Sequence, residues 1–407
     1  MTRMLLSLVL LTLAQGMTAQ SFITLTGRVM ADHQTPLSFA SIGVSHAPIG
    51  TVTNADGEFE FHIPVRYAGD TLVVSFIGFT SFTGRIDSLS KLSPGLIIRL
   101  RAYSHMLREV IVRAPTLSAK ELVAQAVRRM RDNYPTTLFR VDGFFREIEA
   151  ENDHYTLLTE AALSLEDDFA KLRNSFGETI ILHELRRSYR YSKSPRPNRL
   201  SASLRDLLEN NDVRYTRGML NVRINTYQYD STTTYDGRPV YVIRTTNRDD
   251  EGRLYIDVET LGFLRIEALR KSRRDNVPYY EVYPASDSLH IGRRTFSFSV
   301  DFQSYNGKLY LKHMQEQETE EFYNPITKTI HTTFNESLEF IVTQIHPGIS
   351  QRDGLVLNRQ TEFTPGPYRV DFWRNYNVAK LSPLSESLIR DLEKEVSLQQ
   401  QFEASKP

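Results

Sequence analysis

Between Phe139 and Ile341 the chain alternates apolar and polar residues in ten runs: Phe139 to Ile148, Tyr155 to Leu165, Thr179 to Tyr191, Val222 to Tyr229, Val240 to Thr245, Arg253 to Val258, Phe263 to Leu269, Arg294 to Phe302, Lys308 to Gln317 and Thr329 to Ile341. A period of two sends successive side chains to opposite faces of a strand, so this stretch is committed to sheet. The 22 Phe and 20 Tyr of the chain agree, because aromatic rings pack well across neighbouring strands. Ten strands after one helix predict a large curved antiparallel sheet, half-barrel-like, with few helices. Ser118 and Glu121 form a capping box for that helix, Leu122, Val123, Ala126, Val127 and Met130 fall on one stripe, and Asn133-Tyr134-Pro135 stops it. A shorter helix is expected at Leu204 to Leu208, and a final amphipathic one from Ser382-Pro383 through Leu388, Leu392 and Val396.

A chain of 407 residues is long enough for two or three domains. From Phe22 to Leu100 the runs are shorter and broken by turn chemistry. Phe22 to Met30 and Phe39 to Ser45 alternate, Asn54-Ala-Asp56-Gly57 is a tight turn into Phe59-Glu-Phe61-His-Ile63, Thr71 to Ile77 is apolar, and Leu96 to Leu100 closes the unit. Six or seven strands in so short a span make a sandwich. Gly57 suits a positive φ, and Asn54 and Asp56 can bond their own turn.

The residues Thr26-Gly27-Arg28-Val29, Pro36-Leu37-Ser38-Phe39-Ala40-Ser41-Ile42, Gly50 to Phe59 and Val73-Val74-Ser75-Phe76-Ile77-Gly78-Phe79 resemble the carboxypeptidase-regulatory-like domain of Bacteroidota envelope proteins. The resemblance implies a seven-stranded transthyretin-like sandwich and an accessory role, with no peptidase activity. Leu107 to Val112 resembles the strand that follows this domain in TonB-dependent transporters. Fewer than 300 residues remain after Pro115 and they open with a helix, which speaks against a plug and large barrel. The passages Gly143 to Glu147, Tyr241-Val242-Ile243, Gly252 to Asp257 and Phe372 to Asn377 look like a second Bacteroidota pattern. The strand Leu254 to Asp257 with its hairpin to Phe263 to Ile266 is similar to the half-barrel of periplasmic lipoprotein carriers, which implies an apolar concave face able to take an acyl chain. The expected division is residues 1–19 as a signal peptide, 20–101 as the sandwich, 102–118 as a linker strand, 119–381 as the β-rich domain with its leading helix, and 382–407 as a C-terminal helix and tail.

Arg3, the apolar run Met4 to Ala14 and the small residues up to Ala19-Gln20 form a secretory signal, with cleavage expected after Ala19. The run is shorter than the roughly 20 residues that span a bilayer. Cysteine is absent, which excludes disulfides, thiolate metal sites, a Cys nucleophile and a lipid-modified N-terminal Cys. Basic and acidic residues balance at 49 each, so no global field draws nucleic acid or a membrane surface.

Motif chemistry is sparse. His313-Met-Gln-Glu316 has His-x-x-Glu spacing but lies in a run expected to be a strand, where residues three apart face opposite sides and cannot share zinc. His183-Glu184 begins a zincin-like motif, but Arg187 stands where the second histidine belongs. Neither a Gly-x-Ser-x-Gly elbow nor a phosphate-binding glycine loop occurs. The carboxylate groups Glu166-Asp167-Asp168, Asp249-Asp250-Glu251 and Glu316 to Glu321 read as solvated turns and strand faces, and Phe144, Phe145, Trp373 and Tyr376 as core. The basic stretch of Arg186, Arg187, Arg190 and Lys193, interleaved with Tyr189 and Tyr191, offers contact to an anionic surface such as lipopolysaccharide or lipid headgroups.

The expected function is non-catalytic: an exported cell-envelope protein, in the periplasm or at the outer-membrane surface, that binds a lipid, glycan or protein partner through its larger β domain. It needs no cofactor, no metal and no nucleic acid, and its membrane association would be peripheral. The alternative is an envelope hydrolase whose carboxylates converge only in three dimensions. Raised carboxyl pKa values in a cleft would mark that enzyme, and an apolar groove would mark lipid binding.

Overall fold

The computed structural model describes residues 21–32, 34–103, 117–167, 178–191, 200–215, 218–247, 250–278, 290–324, 326–327, 329–348, 354–357, 368–376 and 384–404. The expected signal peptide, the strand Leu107 to Val112 and Lys193 lie outside them.

Seven short strands build the sandwich: β1 Phe22–Ala31, β2 Ser41–Val44, β3 Gly50–Val52, β4 Glu58–Pro64, β5 Thr71–Ser75, β6 Phe82–Arg85 and β7 Leu96–Leu100. One sheet has the order β4-β1-β7 and the other β3-β2-β5-β6. Leu25, Val29, Phe59, Phe61, Leu72, Val74 and Ile98 fill the space between them. The turn before β4 forms as its residues dictate. Asn54 Oδ1 accepts from the amides of Asp56 and Glu58 at 3.0 and 2.9 Å, and Gly57 holds φ +72° where a Cβ would meet Val29 O at 2.4 Å. Phe39 departs from the expected alternation. It takes φ +60°, outside β2, which turns its ring away from the sandwich.

The larger domain is one open antiparallel sheet of eleven strands, not closed into a barrel. In chain order these are β8 Phe139–Glu151, β9 His154–Asp167, β10 Thr179–Arg187, β11 Thr226–Tyr235, β12 Arg238–Thr246, β13 Asp250–Asp257, β14 Phe263–Pro278, β15 His290–Tyr305, β16 Lys308–Tyr323, β17 Ile330–Pro347 and β18 Leu355–Leu357. Their order across the sheet is β11-β12-β13-β14-β15-β16-β17-β8-β9-β10-β18. The strand expected from Val222 begins only at Thr226. The Asn225 side chain donates to Gly218 O and Asn221 O at 2.7 and 3.0 Å and holds a turn there instead.

One face of this sheet, here the inner face, carries the helices α1 Ala119–Arg128, α2 Met130–Asn133 and α3 Leu200–Glu209. The capping box forms, with the Ser118 hydroxyl accepting from Glu121 N and the Glu121 carboxylate from Ser118 N. Leu122, Val123, Ala126 and Met130, with Leu204, Leu207 and Leu208, pack onto Phe145, Leu163, Ile266 and Phe340. Helical side chains therefore cover the apolar stripe that was expected to lie open for an acyl chain. Gly143 permits close packing here: a Cβ there would lie 2.4 Å from the Phe340 ring.

The outer face carries the sandwich and the C-terminal helices α4 Val370–Asn375, α5 Leu384–Leu392 and α6 Leu398–Ala404. The expected single last helix is two, because Ser397 starts a new one. Its hydroxyl accepts from Gln400 N at 3.3 Å while Gln400 Oε1 accepts from Ser397 N at 3.2 Å. Val52 of β3 joins Phe144, Ala162, Ile341 and Trp373 in a small apolar cluster. Backbone bonds from Ile345 N to Pro48 O and from Gly78 N to Thr234 O, both 2.9 Å, fasten the sandwich at two further points. No helix among the described residues is long and apolar enough to cross a membrane.

Candidate functional site

The basic stretch does not form a bare surface. Arg186 and Arg187 are neighbours on a strand and so take opposite faces. On the outer face Arg186 Nε donates to Glu160 at 2.5 Å, and its guanidinium lies 4.4 Å from the Trp373 ring and 5.4 Å from that of Phe402. On the inner face Arg187 Nη2 is 3.8 Å from Glu147, and Arg190 donates to both oxygens of Glu149 at 3.0 to 3.3 Å. Only 18, 20 and 17% of these three side chains is accessible, so their charges face internal carboxylates. The fourth residue, Lys193, is outside the described residues.

Two carboxylate groupings expected at solvated turns and strand faces are also internal. Asp167 accepts both bonds of Arg214 Nε, at 3.0 and 2.8 Å, and Glu166 is 2% exposed. Glu316 and Glu318 meet Glu336 on the inner face, and Glu336 in turn meets Glu147 and Glu149, with oxygens of each trio within 4.8 Å. These carboxylates lie among Arg187, Arg190, Arg294, Ser203 and Asn210, which makes the cluster an ion-pair and hydrogen-bond network. His313 and Glu316 face opposite sides of β16, as strand geometry requires.

On the outer face, beneath the sandwich, charges of alternating sign run across neighbouring strands: Arg265, Asp301, His313, Glu339, Arg146, Glu160 and Arg186. Arg265 Nη1 donates to Asp301 at 2.8 and 2.7 Å, His313 Nε2 lies 3.1 Å from Glu339, and Arg146 Nε donates to Glu160 at 2.9 Å. Burial by itself would raise the Glu160 pKa, but Arg186 and Arg146 outweigh it and hold the carboxylate charged below its usual range. Burial would likewise lower that of His313, and Asp301 and Glu339 reverse the sign.

Beyond the sandwich the same face opens into a cleft of about 490 Å³. Its floor and walls are two adjacent cross-strand rows. The first runs Arg244, Arg253, Glu267, Ser299, Gln315, and the second Glu251, Leu269, Ser297, Gln317. The hollow exists because β15 points serines outward between the long side chains of β14 and β16, while Phe298 and Val300 point inward. Each arginine here is ion-paired: Arg244 and Arg253 with Asp230 at 2.8 and 3.3 Å, and Arg265 with Asp301. Glu267 accepts at both oxygens, from Tyr255 Oη at 3.0 Å and from Arg265 Nε at 3.2 Å. None of these residues stands in a catalytic or ligand-binding motif. The available signal was the outward register of Ser297-Phe-Ser299 opposite Gln315-Glu-Gln317, which shows only once the strands are paired.

Comparison with known proteins identifies the class of the first domain. Residues 25–112 match the CarboxypepD_reg-like domain family. No curated protein matches the chain. Among solved structures it is similar to a DUF1329 family protein from Desulfovibrio piger ATCC 29098, with 10% identity and a TM-score of 0.25 over 57% of this chain and 96% of that one. It is also similar to lipovitellin, in a structure described by its lipid–protein interactions, with 9% identity and a TM-score of 0.28 over 54% of this chain and 27% of that one.

Proposed function

We propose that the protein is an exported, non-catalytic binding protein of the cell envelope that holds a glycan in the outer-face cleft, with the regulatory-like sandwich as its docking module. The observation that carries this is the pair of rows across β12 to β16, in which charged, amide and hydroxyl side chains line a hollow over small serines. A volume of about 490 Å³ falls within the roughly 300–1,000 Å³ of ligand clefts. Ion-paired arginines, amides and hydroxyls offer hydrogen bonds in both directions without a net field, which suits a polyhydroxylated ligand better than a phosphate. Coverage of the inner stripe by α1 and α3 argues against acyl-chain carriage. Export rests on the composition of residues 1–19.

The hydrolase alternative has less support. Glu267 is placed as an acceptor and not as a proton donor. Ser164 Oγ donates to Asp142 at 2.6 Å and lies 2.6 Å from His183 Nε2, but the serine stands between the other two and is fully buried, whereas a nucleophilic serine needs the histidine in the middle. The test is titration calorimetry of the mature protein against bacterial envelope polysaccharide fragments, with a reducing-end assay alongside. Binding that is lost in the Gln315→Ala, Gln317→Ala double variant supports the proposal. Release of reducing ends, or no binding to any fragment, overturns it.

A further inference from the structure

One row further under the sandwich lies a smaller chamber of about 130 Å³. Phe39, Phe76 and Ile77 of the sandwich roof it, and Tyr235, Tyr255 and Lys312 of the sheet lie opposite. It shares Arg265 and Glu267 with the open cleft, so the two adjoin.

Lys312 reaches this chamber through a β-bulge. Asp301 pairs with His313 and Phe302 with Leu311, which leaves Lys312 as the extra residue of β16. Strict alternation would send Lys312 to the side opposite His313. The bulge brings both onto the outer face, re-aiming one side chain. Lys312 is 6% exposed, and among the described residues its one hydrogen-bond partner is Tyr235 Oη, at 3.1 Å. An ammonium carries three donors, and a buried cation is costly unless acceptors surround it. Asp301, which lines the same chamber, already takes two bonds from Arg265.

We propose that this chamber is the anionic end of the ligand site: the glycan is acidic, and a sugar carboxylate enters beneath Phe39 and Phe76 to pair with Lys312. The inference rests on the reading of the cleft as a glycan site. A charge pair under an apolar roof is less screened than one in open water. A planar, singly charged carboxylate matches one ammonium. A doubly charged phosphate would add repulsion from Asp301 and Glu267.

The experiment is an array of oligosaccharides of matched backbone, neutral in one set and carrying a terminal uronate in the other, probed with the mature wild-type protein and with Lys312→Met. The wild type is expected to hold the uronate set about tenfold more tightly or better, and Lys312→Met to keep the neutral binding while losing that preference. Equal binding of both sets by the wild type, or a preference that survives Lys312→Met, overturns the acidic-ligand inference and leaves the cleft reading standing. Binding of neither set overturns both. Should Lys312→Met fail to fold, as shown by its melting curve, Tyr235→Phe removes only the oxygen that positions the ammonium, and a weakened uronate preference is expected there too. An unchanged preference counts against the inference.

Discussion

The Phe39 ring lies flat on the His313 ring, with centroids 4.9 Å apart and planes 21° from parallel. One belongs to the sandwich and the other to the large sheet. The contact is made by a phenylalanine in a left-handed backbone conformation, a cost of order 1–3 kcal/mol that the surrounding packing offsets. Beneath it His313 bridges Asp301 and Glu339, so domain docking and a buried charge row meet at one imidazole.

That position makes stability depend on pH with a definite sign. The folded His313 pKa is raised above its unfolded value of 6.5, so its contribution is complete below that value and is lost as pH rises through the folded one. Melting temperature is expected to fall from near neutrality into the alkaline range, and the fall should shrink in His313→Gln. Identical slopes in the two proteins would show that His313 does not contribute.

Glu160 sits between two arginines at 1% side-chain exposure. Glu160→Gln removes the counter-charge that Arg146 and Arg186 share, leaving Arg146 only Glu339 at 4.0 Å, and is expected to cost about 3–5 kcal/mol in urea unfolding. A loss under about 1 kcal/mol would mean that the aromatic rings over Arg186 carry the pair unaided.

Gly143→Ala places a methyl against Phe340, and overpacking of this kind costs about 1–3 kcal/mol. Adding Phe340→Leu relieves the ring part of the clash and leaves the 2.7 Å approach to Ile341 O, so the double variant should be more stable than the sum of the singles predicts but should not regain full stability. Strict additivity in a double-mutant cycle would rule the clash out.

Ser118→Ala removes half of the capping box and should lower stability by about 1 kcal/mol. Ser118→Asp should restore most of it, because a carboxylate can accept the same amide. Chemical denaturation of the three proteins side by side reads the difference.

Ser299→Trp fills the floor of the cleft without touching the inner core. Ligand affinity should be lost while the melting temperature stays near wild type. Unchanged affinity would place binding elsewhere on the molecule.

Much of the fold was legible because its signals are local. The alternation from Phe139 onward, the Asn54 to Gly57 turn and the Ser118 and Glu121 cap each depend on residues a few positions apart, and each forms, although the strand expected from Val222 starts at Thr226. The second capping box, at Ser397 and Gln400, is equally local, and it interrupts the apolar stripe of Leu388, Leu392 and Val396. The partners of the arginines are not legible in the same way, because no local rule says what a strand residue meets on its neighbours. Arg186 meets Glu160, 26 residues away, and Arg265 meets Asp301, 36 away.

By itself the sequence determined a β-rich chain with a small sandwich first, a capped helix next and one broad antiparallel sheet, because period-two patterning and turn chemistry act within single segments. Only the tertiary structure decided which face the sandwich covers, that Phe39 leaves its strand to lie on His313, and that a bulge turns Lys312 outward. Those outcomes depend on cross-strand register. Alternation assigns residues to two sides of a strand, but the neighbouring strand sets the register and the packed domain sets which side is buried.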